Sequence, residues 1–529
     1  MFIIMSGAYV CSELRSEFGS IPPAMLPLGN VPLYHHQISL FAPYHDEGVI
    51  VLPYDYQLSQ LDLVEFEARN VRVFTIDSGL SVGAALCHVS DALDDIIPEN
   101  VSIMWGDTLV TGISSTSDVI SVESYAGAYN WGYLSPKRLN CELSGFDELE
   151  LEPLDVILTG FFSFSSFGFF IRLLKTFDFN LVEALTLYSN HHKLILRRDA
   201  TWLDFGHGKT FFRSKAHFTT QRSFNSLLVT HTYVEKSSQN WFKIFAESEW
   251  FRRLPDEFRI YVPAVLGCNF SSTHGWYRLE YLYLNSLSEL YVFSKLDSYA
   301  WEVVLDNCFS FLNASSRFCS RENGGVDLKE LLFIDKTEER LKQFSAFSGL
   351  SLDIEFTYDS YKGTIRDVFD RSVQSLPISF DVSDLMHGDF CFSNILFDFR
   401  SQLIKVIDPR GFVRDGIAES IGCLFYDLCK LAHSIDGLYD FIICGRYALS
   451  CDNQNSLRLS FEMSSQREEF ISSFYTKAEL MFGYTKNQIV SGQIILFLSM
   501  LPLHSDNPQR QRALLANAFR LVSSLQEGS

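Results

Sequence analysis

Met386–Gly411 reads MHGDFCFSNILFDFRSQLIKVIDPRG. His387-Gly388-Asp389 opens a short loop, Asn394 stands five residues beyond Asp389, and an apolar run then closes on a second acid, Asp408. Moving a phosphoryl group onto an alcohol takes a carboxylate that orients the hydroxyl and accepts its proton. It also takes an amide and a second carboxylate to hold Mg2+ against the nucleotide phosphates. Asp389, Asn394 and Asp408 are those three chemical types in that order. His387 is expected to brace the loop from inside rather than to exchange protons. An HGD turn alone is ordinary; the specificity lies in its spacing to Asn394 and to an acid that ends an apolar strand.

Outward from this loop, the second half of the chain changes its pattern twice. RSFNSLLVTHTYVEKSS, from Arg222, alternates apolar and polar residues and predicts a β-hairpin. NWFKIFAESEWFRRLP has helical periodicity and is stopped by Pro255. A strand lysine followed by a helix glutamate can fix the α- and β-phosphates of ATP, which nominates Lys236 with Glu247, or less favourably Glu249. The next strand, WYRLEYLYL, carries Glu280, whose position suits a hinge that meets adenine through its backbone. Asp297–Arg317, Leu328–Phe347, Gln466–Phe482 and Asn487–Leu503 read as helices, as does the segment around Asp427. Arg410 and Arg414 could meet phosphate or an anionic substrate, pair with Asp427, or face solvent.

The first half alternates strands and helices. Phe2–Ser6 is a short apolar strand that runs into a turn at Gly7, where backbone N–H groups could face phosphate. EGVIVLP, VRVFTID and the small-residue run DSGLSVGAALCHVSDAL, with Gly83, continue the alternation. SIMWGDTLVTG ends its strand at Gly106-Asp107, and open α/β sheets bind ligands at the carboxyl ends of their strands. Asp204-Phe205-Gly206 spells DFG but lies far upstream of Asp389, so it cannot follow that catalytic loop. Leu158–Leu174 is the greasiest window, yet it carries Gly, Ser and Arg172 and falls short of a membrane span. A buried strand, turn and helix is the expectation there.

A chain of 529 residues is too long for one core. Its net charge of −21 argues against a nucleic-acid partner, which would need a basic face. The 11 cysteines include no CxxC pair and sit singly in apolar segments, as buried thiols do in a reducing compartment. With no basic, apolar leader at the N-terminus, a cytoplasmic location is expected. His35-His36 and His191-His192 are adjacent pairs, which do not converge on one metal when both lie on a helix or strand.

Two resemblances organise these observations. Ser6–Gly19, Pro22–Leu33, Gly79–Leu86, Trp105–Asp107, Asn180–Ala184 and Thr201–Gly206 resemble, in order, the segments of sugar-phosphate nucleotidyltransferases. HGDFCFSNILFD, KVIDPRG and YDLCKL resemble the aminoglycoside phosphotransferase and choline kinase family. The fold these imply is α/β: a GT-A-like doubly wound domain over residues 1–218, then a bilobal protein-kinase-like domain over 219–529. The latter divides into a small lobe at about 219–285 and a helical large lobe at about 286–529. The first resemblance implies that Asp107 and Asp204 chelate Mg2+, with Gly7 and Gly83 near the nucleotide. It also shows a departure, because Pro23 falls where that family carries a phosphate-binding lysine, and only Arg15 is available as the loop's arginine. The second implies catalysis by Asp389 and His387, metal binding by Asn394 and Asp408, and ATP binding by Lys236, Glu247 and Glu280. Together they imply a bifunctional enzyme that uses ATP and a second NTP, with CTP a candidate. It would make an activated sugar or alcohol phosphate for bacterial capsule or lipopolysaccharide. The alternative is a kinase whose first domain only binds. A small-molecule hydroxyl compound is the expected partner, no membrane span is expected, and oligomerisation stays open.

Overall fold

The computed structural model describes residues 1–93, 98–124, 132–145, 155–198, 200–218, 226–318, 327–380, 382–412, 417–418, 421–450 and 455–525. The chain forms two compact units, Met1–Phe218 and Thr219–Ser529.

In the first unit, β1 (Phe2–Met5) pairs in parallel with β2 (Gly48–Pro53) and β4 (Val101–Trp105), and β2 pairs in parallel with β3 (Val71–Ile76). Helices α1 (Ser12–Phe18), α2 (Leu33–Phe41), α3 (Gln60–Ala68) and α4 (Val82–Leu93) lie between these strands in sequence. This is the βαβ alternation that gives a doubly wound sheet covered on both faces. A short β5 (Thr108–Val110) leaves the sheet, while β6 (Val119–Ser124), β7 (Cys141–Ser144), β8 (Val156–Phe164) and β9 (Leu194–Arg197) extend it. All nine residues of β8 are buried, as a continuous apolar run between two covered faces should be. β8 then turns into α5 (Phe167–Thr176), so the greasy Leu158–Leu174 window is a strand and a helix. No helix among the described residues is long and apolar enough to cross a membrane. Gly160, at φ +96°, sits where the β8–β6 register slips, and a Cβ there would stand 2.8 Å from the Trp105 ring. Aromatic packing fills the space behind: Phe164 stacks on Phe170 at 4.1 Å between ring centres and meets Tyr188 of α6 (Leu181–Ser189) edge-on. β10 (Trp202–Asp204) pairs antiparallel with β5, and α7 (Gly208–Lys215) closes the unit.

The second unit begins with an antiparallel sheet of β11 (Ser226–Val229), β12 (Tyr233–Ser238), β13 (Val265–Phe270) and β14 (Gly275–Glu280), in the order β11-β12-β14-β13. The β11–β12 hairpin is the one its alternating pattern predicts. Helix α8 (Trp241–Arg253) buries Ile244, Trp250 and Phe251 and ends before Pro255. Helices dominate the remainder: α9 (Leu287–Phe293), α10 (Ser298–Ser316), α11 (Asp335–Ser348) and α12 (Ile365–Gln374). A π-helical turn, Glu330–Ile334, leads directly into α11. After the hairpin β15 (Ile395–Asp398) and β16 (Leu403–Val406) come α13 (Leu424–Ile435), α14 (Tyr439–Ile443), α15 (Ser465–Phe482), α16 (Lys486–Met500) and α17 (Pro508–Ser523). Eleven residues of α16, Ile489–Ser499, are buried on every side. A helix without a polar stripe belongs at the centre of a bundle, which is where α13 and α17 hold it. The architecture is therefore α/β: a doubly wound unit, followed by an antiparallel sheet with one helix and a helical remainder.

Candidate active sites

The loop between α12 and β15 is built from inside by buried groups. His387 is wholly buried; its Nε2 lies 3.1 Å from the Ile407 carbonyl, and its Nδ1 lies 3.3 Å from the Asp389 N–H. These contacts require the neutral ring with the proton on Nε2, and burial pushes the imidazole down to about 4. Asp427 of α13 accepts the His387 and Gly388 N–H groups, one on each carboxylate oxygen, both at 2.7 Å. Burial pushes Asp427 up to about 7 against the pull of those two donors. It is therefore a backbone clamp and not the partner of Arg410. Trp250 of α8 donates to the Met386 carbonyl at 3.1 Å.

Held this way, Asp389 presents a carboxylate whose two oxygens have separate partners. Lys430 of α13 contacts Oδ1 at 2.8 Å, and the Asn394 amide donates to Oδ2 at 2.9 Å. Those contacts fix the plane of the group. Burial opposes the charge on Lys430, but Asp389 outweighs it and the ammonium is held charged. Asn394 accepts the Ile407 N–H on its main-chain oxygen, which ties the loop to the segment bearing Asp408. Asp408 has φ +60°, an uncommon conformation for a residue with a Cβ, and its carboxylate reaches Lys236 of β12. Lys236 also lies 2.7 Å from Glu247 of α8, which the Tyr277 hydroxyl meets at 3.1 Å and Lys243, one turn earlier on α8, approaches to 3.9 Å. Burial costs Lys236 its solvation, yet two carboxylates at contact outweigh that cost and keep it charged. Gly411 allows this assembly: a Cβ there would stand 2.5 Å from the α8 backbone at Ala246 and Glu247.

Glu280 ends β14 with its N–H on the Ala264 carbonyl and its carboxylate on the Ala264 N–H, so its side chain belongs to the sheet edge. Glu249 pairs with Arg252 and Arg253 on the surface of α8, away from Lys236. Arg414 lies outside the described residues. Lys430 was not singled out by sequence. The signal that could have found it is a charged pair, Asp427 and Lys430, inside an otherwise apolar helix, LFYDLCKLAHSI.

In the first unit, Asp107 and Asp204 converge. β5 and β10 pair Thr108 with Asp204, and the Phe205 N–H binds the Asp107 carbonyl at 2.8 Å. A Cβ at Gly206 would stand 2.5 Å from one Asp107 oxygen and 3.3 Å from one Asp204 oxygen, so only glycine fits between the carboxylates. Gln37 of α2 pins the turn from beneath by donating to the Trp105 and Thr108 carbonyls. Asp204 accepts from Thr210 at 2.6 Å and from the Gly206 N–H at 3.0 Å, with His207 Nδ1 at 3.1 Å. Burial, with Asp204 beside it, pushes Asp107 up to about 6.

Gly7 lies against Ile76 and Val51, and its missing Cβ leaves room for Ile76. Gly83 faces the Phe179 carbonyl from α4, so its missing Cβ serves helix packing. Pro23 begins a single helical turn whose Ala24 N–H binds the buried Ser6 hydroxyl at 3.0 Å. Arg15 of α1 lies over the Tyr9 ring.

Magnesium takes oxygen ligands, commonly one or two carboxylates with phosphate and water supplying the rest. Among the described residues no group of three His, Cys, Asp or Glu side chains is placed to hold a metal. Both the Asp107–Asp204 pair and Asp408 with Asn394 fit that mode. Asp107 and Asp204 are crowded carboxylates that no lysine or arginine pairs with among the described residues. Asp408 is an acid with an amide, Asn394, tied nearby.

No protein-family model matches the chain, and no curated protein sequence matches it. Its structural neighbours include nucleotidyltransferases and aminoglycoside phosphotransferases. The inositol-1-phosphate CTP transferase from T. maritima is 14% identical, with 40% of this chain and 90% of that one covered and a TM-score of 0.31. A Bacillus anthracis protein assigned as a glucose-1-phosphate thymidylyltransferase, crystallised with sucrose, is 14% identical over 42% and 96%, with a TM-score of 0.32. A thermostable mutant of the aminoglycoside phosphotransferase APH(4)-Ia is 12% identical over 58% and 96%, with a TM-score of 0.34.

Proposed function

We propose that the second unit is an ATP-dependent kinase for a small-molecule hydroxyl and that the first is a nucleotidyltransferase. Together they would make a nucleotide-activated sugar or alcohol phosphate, of the kind used for bacterial capsule or lipopolysaccharide. The observation that carries the reading is the meeting of Lys236 with Glu247 and Asp408. A strand lysine and the helix glutamate that follows it meet an acid from a loop far along the chain, gathering an ammonium and two carboxylates beside Asp389 and Asn394. Asp389 would orient the acceptor hydroxyl and take its proton, while Lys430 and Asn394 hold its carboxylate in one plane. Lys236 would contact the nucleotide phosphates. Asn394 and Asp408 would hold Mg2+, and Asp107 with Asp204 would do so in the first unit. When bound, that ion offsets the negative charge of the phosphates.

A second reading keeps the kinase and makes the first unit a binding module. Pro23, packed in a helical turn on Ser6, favours it, because a phosphate-binding cation would otherwise be expected there. Losing such a contact removes about 3 kcal/mol of transition-state stabilisation. The test is full-length protein supplied with ATP, a second NTP (CTP first), Mg2+ and a panel of hydroxyl compounds. Asp389→Asn should abolish ADP release, and with it pyrophosphate release unless the phosphorylated compound is supplied, whereas Asp107→Asn should abolish pyrophosphate release only. Pyrophosphate release indifferent to Asp107→Asn would sink the nucleotidyltransferase half; ADP release indifferent to Asp389→Asn would sink the kinase half.

A further inference from the structure

Beside Asp389 the second unit gathers more positive charge than its described carboxylates balance. Lys430 contacts Asp389 directly. One helical turn earlier on α13, the Tyr426 hydroxyl accepts from Lys336 of α11 at 3.0 Å. One turn beyond Lys336 on α11 stands Arg340, which donates to the Ser499 carbonyl at 3.1 Å. Arg410 runs past Gly388, its Cβ close to where a Gly388 side chain would begin, and among the described residues one of its buried guanidinium nitrogens has no hydrogen-bond partner. Four basic side chains thus come from two helices and the loop after Asp408, with the Tyr426 hydroxyl between Lys430 and Lys336.

A folded protein leaves half-buried cations uncompensated only at a cost. That cost shows at Lys336, whose ammonium burial and the neighbouring Arg410, Arg340 and Lys430 together push well below its ordinary range. The π-helical turn Glu330–Ile334 immediately before Lys336 is a feature often found where a helix is set out of register for a ligand. The nucleotide phosphates would be met by Lys236, next to Asp408, so the cluster beside Lys430 and Asp389 is left for the acceptor.

The geometry points to an acceptor that is itself an anion, an alcohol already bearing a phosphate or carboxylate, which Lys336, Arg340 and Arg410 would hold while Asp389 takes its hydroxyl. This rests on the kinase reading of Asp389. It runs against a polycationic aminoglycoside or a quaternary amino alcohol as substrate, since either would meet like charge.

Inorganic phosphate is the first probe, titrated into the full-length protein by calorimetry. Wild type, Lys236→Met and Asp389→Asn should bind it, and Lys336→Met should bind it at least about tenfold more weakly. ADP release is then compared for glucose with glucose 6-phosphate and glucuronate, glycerol with glycerol 3-phosphate, and kanamycin. An anionic member should lead by about tenfold or more in kcat/KM, phosphate and carboxylate compounds distinguishing the two sources of charge. Lys336→Met should raise KM for that compound with kcat nearly unchanged, a split that a merely misfolded variant does not give. Lys336→Met should also melt no lower than wild type, because it removes a desolvated charge. Phosphate binding absent in wild type, or undiminished in Lys336→Met, overturns the inference. So does Asp389-dependent ADP release that prefers glucose, glycerol or kanamycin, an outcome that leaves the kinase reading intact. If ATP turnover ignores Asp389→Asn while phosphate binding still depends on Lys336, the kinase reading falls and the anion site stands.

Discussion

At Lys236 a single side chain joins the sheet, α8 and the segment bearing Asp408, so its removal has two separable effects. Lys236→Met leaves Glu247 buried beside Tyr277 with its near cation gone and the half-buried Lys243 at 3.9 Å, which should cost about 3 kcal/mol in denaturant unfolding. It should also abolish ADP release. Glu247→Gln keeps hydrogen-bonding capacity and removes the buried charge, so its stability loss should stay near about 1 kcal/mol while activity still falls. Asp427 is read differently. Both its oxygens accept backbone N–H groups, and Asp427→Asn would turn an NH2 toward one of these donors. A loss of about 2 kcal/mol, with a drop in kcat larger than any change in the KM for ATP, is the expected result. Equal stability in that variant would show that the clamp is dispensable.

Among the elements, the β5–β10 ribbon and the Asp408–Gly411 turn set the two sites. The ribbon brings Asp107 against Asp204, and burial with that neighbour raises the Asp107 carboxyl to about 6. An acid whose folded-state value lies above its unfolded value of about 4 binds its proton more tightly when folded. Its contribution to stability therefore falls as pH rises from about 4 and is gone above about 6. With metal chelated, Asp107→Asn should be more stable than wild type at pH 7 by about 1–3 kcal/mol, and no more stable at pH 4. Added Mg2+ should raise the melting temperature of the first unit in wild type and not in the variant. The Asp408–Gly411 turn can be tested by Gly411→Ala. A methyl 2.5 Å from the α8 backbone, at φ +73°, has to push α8 and its Glu247 away from Lys236. Loss of ADP release, with pyrophosphate release retained when the phosphorylated compound is supplied, is the outcome expected.

On the scale of the whole molecule, each unit has its own apolar core, around β1, β4 and β8 in the first and around α16 in the second. Separate cores melt as separate cooperative units unless a large interface couples them. Calorimetry should resolve two transitions, ATP with Mg2+ raising one and CTP with Mg2+ the other. One transition shifted equally by both ligands would contradict two independent sites.

The order of elements was legible in the chain because it is written in local patterns: alternation in β11 and β12, the helical period of α8 ended by Pro255, the unbroken apolar run of β8. The loop from His387 to Asn394 could be read for the same reason, since five residues of spacing are a local matter. Lys236 with Glu247 could be nominated by type but not chosen over Glu249, because the choice depends on which face of α8 turns toward β12. Lys430, the Asp427 clamp and the reasons for Gly83, Gly206 and Gly411 lay beyond local reading. Each depends on a contact between segments distant in sequence, where a missing Cβ or a buried charge has meaning only once its neighbour is in place. Residue types and their order came from the chain by itself; which charges face one another was decided by tertiary packing, because Coulomb and steric forces act across space and not along the sequence.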